Sequence, residues 1–297
     1  MDFLRLIQIL ALALLQGVAE LFPISSLGHT VIIPGLLGWG NLIKSDTFLP
    51  LVVTLHLGTA VALLTFFWRD WATLLTAFVR TSMAGRLDAH PQGRTIWLVL
   101  VGTIPAGLIG VYFQKPIENL FFRTTLPVIP AAFLALNGAI LFVGERLRQR
   151  SEPSGLDRQK QEQAFKKIND LGFIQAFAIG LAQAVALIPG ISRSGITMVA
   201  GMGARLSHEE AAHFAFLMAT PVIAGAGLVE VPNLLTPHNI GMLPYALIGG
   251  VVAGVAAYLS VKFLMKYFEV GRLTPFAYYC LVAGTLSFLY LAPQALR

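Results

Sequence analysis

Eight polar residues stand in two short stretches of an otherwise oily chain: Gln16, Glu20, Ser25, Ser26 and His29 in the first, Ser192, Arg193 and Ser194 in the second. Gln16 and Glu20 are four apart and share one face of a helix. Ser26 and His29 are three apart on a first helical turn and can face each other, which is the spacing a nucleophile and its base need. Arg193 supplies a permanent, fork-shaped charge suited to bidentate phosphate recognition, and Ser192 and Ser194 add hydroxyl donors. Chain breaks at Pro23 and Pro189 are each followed by a serine able to cap a new helix. Two helix N-termini brought into one cavity would make an anion site. Glu20 repels a phosphate, so two readings stand open. Either a divalent cation, Mg²⁺ or Ca²⁺, sits between them with Gln16 as a neutral oxygen ligand, or Glu20 handles protons.

The two stretches are one motif written twice. QGVAELFPISSLGHT at 16–30 and QAVALIPGISRSGIT at 183–197 align without a gap and share seven identities. Such self-similarity marks an internal repeat. The first copy follows an N-terminal apolar run that resembles a signal peptide. Its recurrence before Gln183 reads instead as a structural element.

The elements that must position these residues belong to a membrane protein. Apolar residues make up 56% of the chain and charged ones 12%, with a mean hydropathy of +0.72, well outside average soluble composition. Crossing about 30 Å of hydrocarbon takes roughly 20 residues. Six segments qualify: 48–67, 94–113, 126–145, 209–229, 241–266 and 274–292. Four shorter runs, 3–21, 26–38, 171–188 and 195–205, form two pairs joined by the repeated turn, and each pair reads as a re-entrant hairpin. One hairpin plus three spans, taken twice, is an inverted-topology repeat, because an odd number of spans turns the second copy over. The expected fold class is therefore an all-α polytopic membrane protein. Its organisation is a first repeat over 1–146, a linker over 147–170 without chemistry of its own, and a second repeat over 171–297. On this threading fifteen Lys and Arg fall on one side and five on the other (Arg5, Lys44, Lys115, Arg123 and Arg297), leaving Arg193 at membrane depth. The richer side is cytoplasmic by the positive-inside rule. The net charge of +6 sits in those loops and forms no basic stripe, which excludes nucleic acid as a partner.

The remaining polar residues carry less weight. His56, near Gly58 and Thr59 in a span, is read as packing, with a place bordering the cavity as the alternative, and His90, His208, His213 and His238 as incidental. Cys280 is the only cysteine and so makes no intramolecular disulfide. Gly250 and Gly254 form a small-xxx-small pair for close helix packing, with a homodimer as the alternative use.

At its polar motifs the sequence resembles the bacitracin-resistance type of undecaprenyl-diphosphate phosphatase. The signatures are QGVAELFPISSLGH and PGISRSG, supported by HLGTAVAL at 56–63 and HEEAAHFAFLMATPVIAGA at 208–226. The resemblance implies hydrolysis of the undecaprenyl diphosphate carrier lipid to its monophosphate in the bacterial inner membrane, with a divalent cation and a site opening to the periplasm. It implies a role in peptidoglycan synthesis and bacitracin resistance. Carried onto matching positions, it makes Glu20, Ser26, His29 and Arg193 catalytic. Gln16, Ser25, Gly28, Gly190, Ser192, Ser194 and Gly195 would contact substrate, and Glu20 with Gln16 would hold the metal. The chain departs at Gln16, where many members carry a second glutamate, and at Leu27, where a small hydroxyl residue is common.

A polyprenyl-phosphate flippase or anion transporter is the competing reading, since paired re-entrant hairpins are also a carrier architecture. Ser26, His29 and Glu20 together discriminate, because phosphoryl transfer needs them and anion transport does not. The attacking group expected from spacing is Ser26 with His29 as its base; attack by His29 or by water stays open.

Overall fold

The computed structural model describes residues 3–39, 47–118, 127–237 and 239–295. Lys44, Arg123, His238, Arg297 and the side chain of Lys115, assigned above, lie outside the described residues. Among the described residues the chain is helical, with one isolated bridge between Lys166 and Leu206. The first half holds α1 (Phe3–Ala19), α2 (Ser26–Leu36), α3 (Phe48–Phe66), α4 (Trp68–Ala84), α5 (Gly93–Glu118) and α6 (Val128–Arg150). After the short α7 (Arg158–Gln163) come α8 (Phe173–Ala184), α9 (Arg193–Gly203), α10 (His208–Leu234), α11 (Leu243–Phe268) and α12 (Thr274–Ala295).

Six helices are long and apolar enough to cross a membrane: α3, the Gly93–Phe113 part of α5, α6, α10, Ile240–Phe268 around α11, and α12. They coincide with the six expected spans, and the chain is an all-α, multi-pass membrane protein. The hairpin helices are shorter. At 1.5 Å per residue, the 17 residues of α1 rise about 26 Å and the 11 of α2 about 17 Å.

One helix was not foreseen. Trp68 to Ala84, read from sequence as a basic loop, forms α4 and buries Leu74, Ala77 and Thr81. That i, i+3, i+7 stripe makes a helix amphipathic. Arg69, Asp70 and Arg80 lower its hydropathy enough to hide it from a search for spans.

The centre of the molecule is α10, in which every residue from Phe214 to Thr220 is buried. It packs against α3, α5, α9 and α11, as a helix apolar on all sides must. The helix contacts are reciprocal between the halves. If α1, α2, α3, α5 and α6 correspond to α8, α9, α10, α11 and α12, the α1–α11 contact answers α8–α5 and α3–α11 answers α10–α5. The α3–α10 and α6–α12 contacts map onto themselves.

The small-residue pair on α11 is used within the chain. A Cβ on Gly58 of α3 would lie 2.0 Å from the Gly250 carbonyl oxygen, and one on Gly254 would lie 3.0 Å from the Gly58 carbonyl. Only glycine lets these two backbones approach so closely.

The linker is more than a tether, and His208 is not incidental. Buried at the N-terminus of α10, His208 places Nδ1 3.0 Å from Glu162 Oε1 and Nε2 2.8 Å from Glu145 Oε2. Arg148 donates to Glu162 at 3.1 Å, and Arg158 and Arg272 both pair with Glu152. The linker is thereby bonded to α6, to α10 and to the turn before α12. Sequence could not show this, because the partners lie up to 120 positions apart, as in the Arg272 bond to Glu152.

Candidate active site

The two repeated turns meet. Glu20 continues the helical ladder of α1, its N–H donating to the Gln16 carbonyl, and Pro23 then ends the hairpin's first arm. Ser25 caps α2 with its Oγ accepting the Gly28 N–H at 3.2 Å; Ser192, at the matching repeat position, caps α9 by accepting the Gly195 N–H at 3.1 Å. Ser25 does more. Its Oγ also accepts the Gly190 N–H from the other hairpin at 3.2 Å, and its backbone is held at φ 66, a left-handed conformation uncommon outside glycine. Gly190 itself sits at φ 107, and a Cβ on Gly28 would lie 2.8 Å from its Cα. Gly28, Gly190 and Gly195 thus sit where the two tips pack.

Asn137 of α6 locks this junction. Its Oδ1 accepts the Ser192 N–H at 2.9 Å and its Nδ2 donates to the Pro23 carbonyl at 3.1 Å, so one fully buried amide bridges both hairpins. Ser194 donates to the Phe22 carbonyl at 3.2 Å and lies 3.1 Å from Ser192 Oγ. The hydroxyls of Ser25, Ser192 and Ser194, expected to meet substrate, are here spent on caps and cross-hairpin bonds.

Glu20 is the hub. Arg193 approaches its Oε1 with Nη2 at 2.7 Å and Nε at 3.2 Å. Its Oε2 accepts the Ser26 hydroxyl at 2.5 Å and the Gln16 amide at 3.1 Å. His56 Nε2 lies 3.1 Å from the same oxygen. Arg193 is further anchored through Nη1 to the Ala215 carbonyl at 3.4 Å. Glu20 is 6% exposed, and a carboxylate so placed is tolerable only when paired.

His29 faces elsewhere. Its Nδ1 lies 2.7 Å from the Ser25 carbonyl oxygen, which can only accept, so Nδ1 carries a proton. Nε2 lies 2.8 Å from the Tyr279 hydroxyl of α12, and the two rings stack with centroids 5.7 Å apart. The direct Ser26–His29 hydrogen bond expected from their spacing is thus replaced by Ser26–Glu20. Three apart on a helix places two side chains on one side of it, but the neighbours decide where each points.

All eight polar residues singled out in sequence converge around the two tips. Three others were missed as site residues. Asn137 carried no signal beyond being polar in a span. Tyr279 looked like an ordinary aromatic. His56 did carry one, since an ionisable group at membrane depth is by default functional, and its assignment to packing is corrected here by its contact with Glu20.

In this arrangement Glu20 has no lone pair to spare for a divalent cation. A carboxylate offers about four lone-pair positions, and Glu20 already faces two guanidinium nitrogens, one hydroxyl, one amide and one imidazole. Beside it, the buried Gln16 Oε1 is a protein oxygen without a hydrogen-bond partner. No group of three or more His, Cys, Asp and Glu able to hold a metal occurs among the described residues.

Comparison with known proteins places the chain in a family. The sequence model described as bacitracin resistance protein BacA matches residues 9–286. A protein of Acidiphilium cryptum named undecaprenyl-diphosphatase is 49% identical over 284 residues, covering 93% of this chain and 95% of that one. Proteins of the same name from Mycolicibacterium paratuberculosis and Granulibacter bethesdensis are 46% and 43% identical, covering 93% and 98% of this chain and 94% and 99% of theirs. With matches of this extent, the chain belongs to the bacitracin resistance protein BacA family.

Proposed function

We propose that this membrane phosphatase hydrolyses undecaprenyl diphosphate to undecaprenyl phosphate and inorganic phosphate, returning the carrier lipid to peptidoglycan synthesis and giving resistance to bacitracin. The observation that carries the reading is one carboxylate, Glu20, bonded on one oxygen to the Ser26 hydroxyl and on the other to the Arg193 guanidinium. The flippase or transporter alternative gains nothing from this arrangement, since transport of an anion needs no base beside a hydroxyl.

Substrate binding starts the reaction: Arg193 leaves Glu20 for the terminal phosphate, which its fork can hold bidentately. Losing that counter-charge makes Glu20 more basic at the moment a base is needed. Ser26 Oγ attacks the terminal phosphorus, its proton passes to Glu20 Oε2, and the bond from phosphorus to the bridging oxygen breaks. The leaving group is a phosphate monoester, whose second pKa of about 6 lets it depart with little help from an acid. Water then attacks the phosphoserine and the bond from phosphorus to Ser26 Oγ breaks, with Ser26 recovering its proton from Glu20 and His29 accepting the one that water loses. In that role His29 would exchange its present Nε2 partner, the Tyr279 hydroxyl, for the water. Arg193 and the N-termini of α2 and α9 stabilise charge on the transferred group.

A divalent cation is carried, in this proposal, by the diphosphate oxygens, with Gln16 Oε1 as the protein oxygen available to it. The two halves, 1–146 and 171–297, are inserted in opposite senses on either side of the 147–170 linker. The basic loops lie in the cytoplasm, and the site opens to the periplasmic face of the bacterial inner membrane. A homodimer would need a face other than Gly250 and Gly254, which are used inside the chain. The test is phosphate release from undecaprenyl diphosphate by purified protein, with and without chelator. Release by the wild type and its loss in Glu20→Gln are expected; release that survives in Glu20→Gln would overturn the reading.

A further inference from the structure

We propose that His56 is a positioning residue for Glu20, holding the carboxylate in place when Arg193 turns from it to the substrate. This rests on the proposed phosphatase reading and extends the site to α3. Two observations support it. His56 Nδ1 lies 2.8 Å from the Val52 carbonyl oxygen, and its Nε2 lies 3.1 Å from Glu20 Oε2. The Val52 carbonyl can only accept, so Nδ1 carries a proton, and a second proton on Nε2 would make the ring a cation facing the carboxylate.

The geometry divides the labour around Glu20. Arg193 occupies Oε1, whereas His56 shares Oε2 with the Ser26 hydroxyl and the Gln16 amide. When the guanidinium moves to phosphate, Oε1 loses its partner and Glu20 keeps a cation through His56. Without it, a buried carboxylate beside an incoming diphosphate would be repelled, and Oε2 would leave the Ser26 hydroxyl. The Val52 carbonyl is one turn earlier on α3, so the imidazole is fixed by its own helix. That helix is pinned to α11 at Gly58, two residues on. His56 is the contact between α3 and the carboxylate, which makes it the route by which that helix sets the register of the site.

Two experiments on the purified full chain test this. In the first, kcat and KM for undecaprenyl diphosphate are measured for His56→Ala and His56→Gln. Alanine should lower kcat at least thirtyfold with KM changed less than threefold. Glutamine, whose amide can donate to Glu20 Oε2, should recover at least tenfold of that loss. A His56→Ala enzyme within threefold of wild type, or a loss that glutamine does not repair, would overturn the proposal. The second experiment needs no activity. Melting temperatures are compared for wild type, His56→Ala, Glu20→Gln and the double variant. Removing His56 should cost several degrees when Glu20 is intact and almost nothing in the Glu20→Gln background, because the neutral amide has no charge to compensate. An equal loss in both backgrounds would mean that His56 only packs. Coupling in a protein that releases no phosphate would sink the phosphatase reading while leaving the pair intact; phosphate release without coupling would sink the pair alone.

Discussion

Arg193 and Glu20, 173 positions apart in sequence, form a two-pronged ion pair in which Nη2 and Nε both approach Oε1 at 2.7 and 3.2 Å. Each residue comes from a different copy of the repeated motif. The pair joins the hairpins and, in the proposed reaction, is what substrate must separate.

Arg193→Lys keeps the charge but loses the fork. One ammonium cannot reach both a phosphate and the Ala215 carbonyl in the arrangement seen for the guanidinium, nor hold two phosphate oxygens in plane. Phosphate release should fall by at least two orders of magnitude in kcat/KM. Turnover within threefold of wild type would remove Arg193 from substrate binding.

Ser26→Ala removes both the attacking oxygen and one donor to Glu20, and should abolish turnover to below about a thousandth of wild type. Because groups acting as a unit lose rate together, kinetics alone does not name the nucleophile. Trapping labelled substrate in turnover does. An acid-stable adduct at Ser26 is expected; an acid-labile adduct at His29 would overturn the assignment, and Tyr279→Phe would then be expected to alter its rate of formation, since Tyr279 holds His29 Nε2.

Asn137→Leu leaves the Ser192 N–H and the Pro23 carbonyl without the amide that joins them. The Ser192 N–H is left unpaired while the Pro23 carbonyl keeps only the weak Cys280 thiol donor at 3.8 Å; a buried group left unpaired costs about 1 to 3 kcal/mol, so a loss of at least that size is expected, seen as a lower melting temperature in detergent. Unchanged stability would show that the hairpins are held together by other means.

Glu162 offers a test of the linker through pH. Burial alone would raise its pKa, but the hydrogen bonds from His208 and the neighbouring charge of Arg148 hold it below the ordinary glutamate range. A carboxylate whose folded pKa is depressed adds stability above its unfolded pKa and loses it as pH falls through the folded value. Glu162→Gln should therefore be destabilised near pH 7, by about 3 to 5 kcal/mol for a broken buried pair. The gap to wild type should close as pH drops below about 4.3, the unperturbed value. A gap independent of pH would mean that Glu162 contributes only shape.

Composition and local pattern sufficed for the class of fold and for the cast of the site. Six apolar segments of sufficient length permit only helices that satisfy their own backbones in lipid, and all six formed. The doubled motif placed Glu20, Ser26, His29 and Arg193 in two turns, because helix breakers and caps act locally. α4 escaped notice because charge masks a short amphipathic stripe. Which groups touch depended on how the helices pack. Ser26 turned to Glu20 and His29 to Tyr279, because a side chain's direction is set by partners that periodicity along one helix does not reveal. His56, Asn137 and Tyr279 entered the site from α3, α6 and α12 for the same reason: contacts between helices depend on how they cross, and no local pattern encodes that.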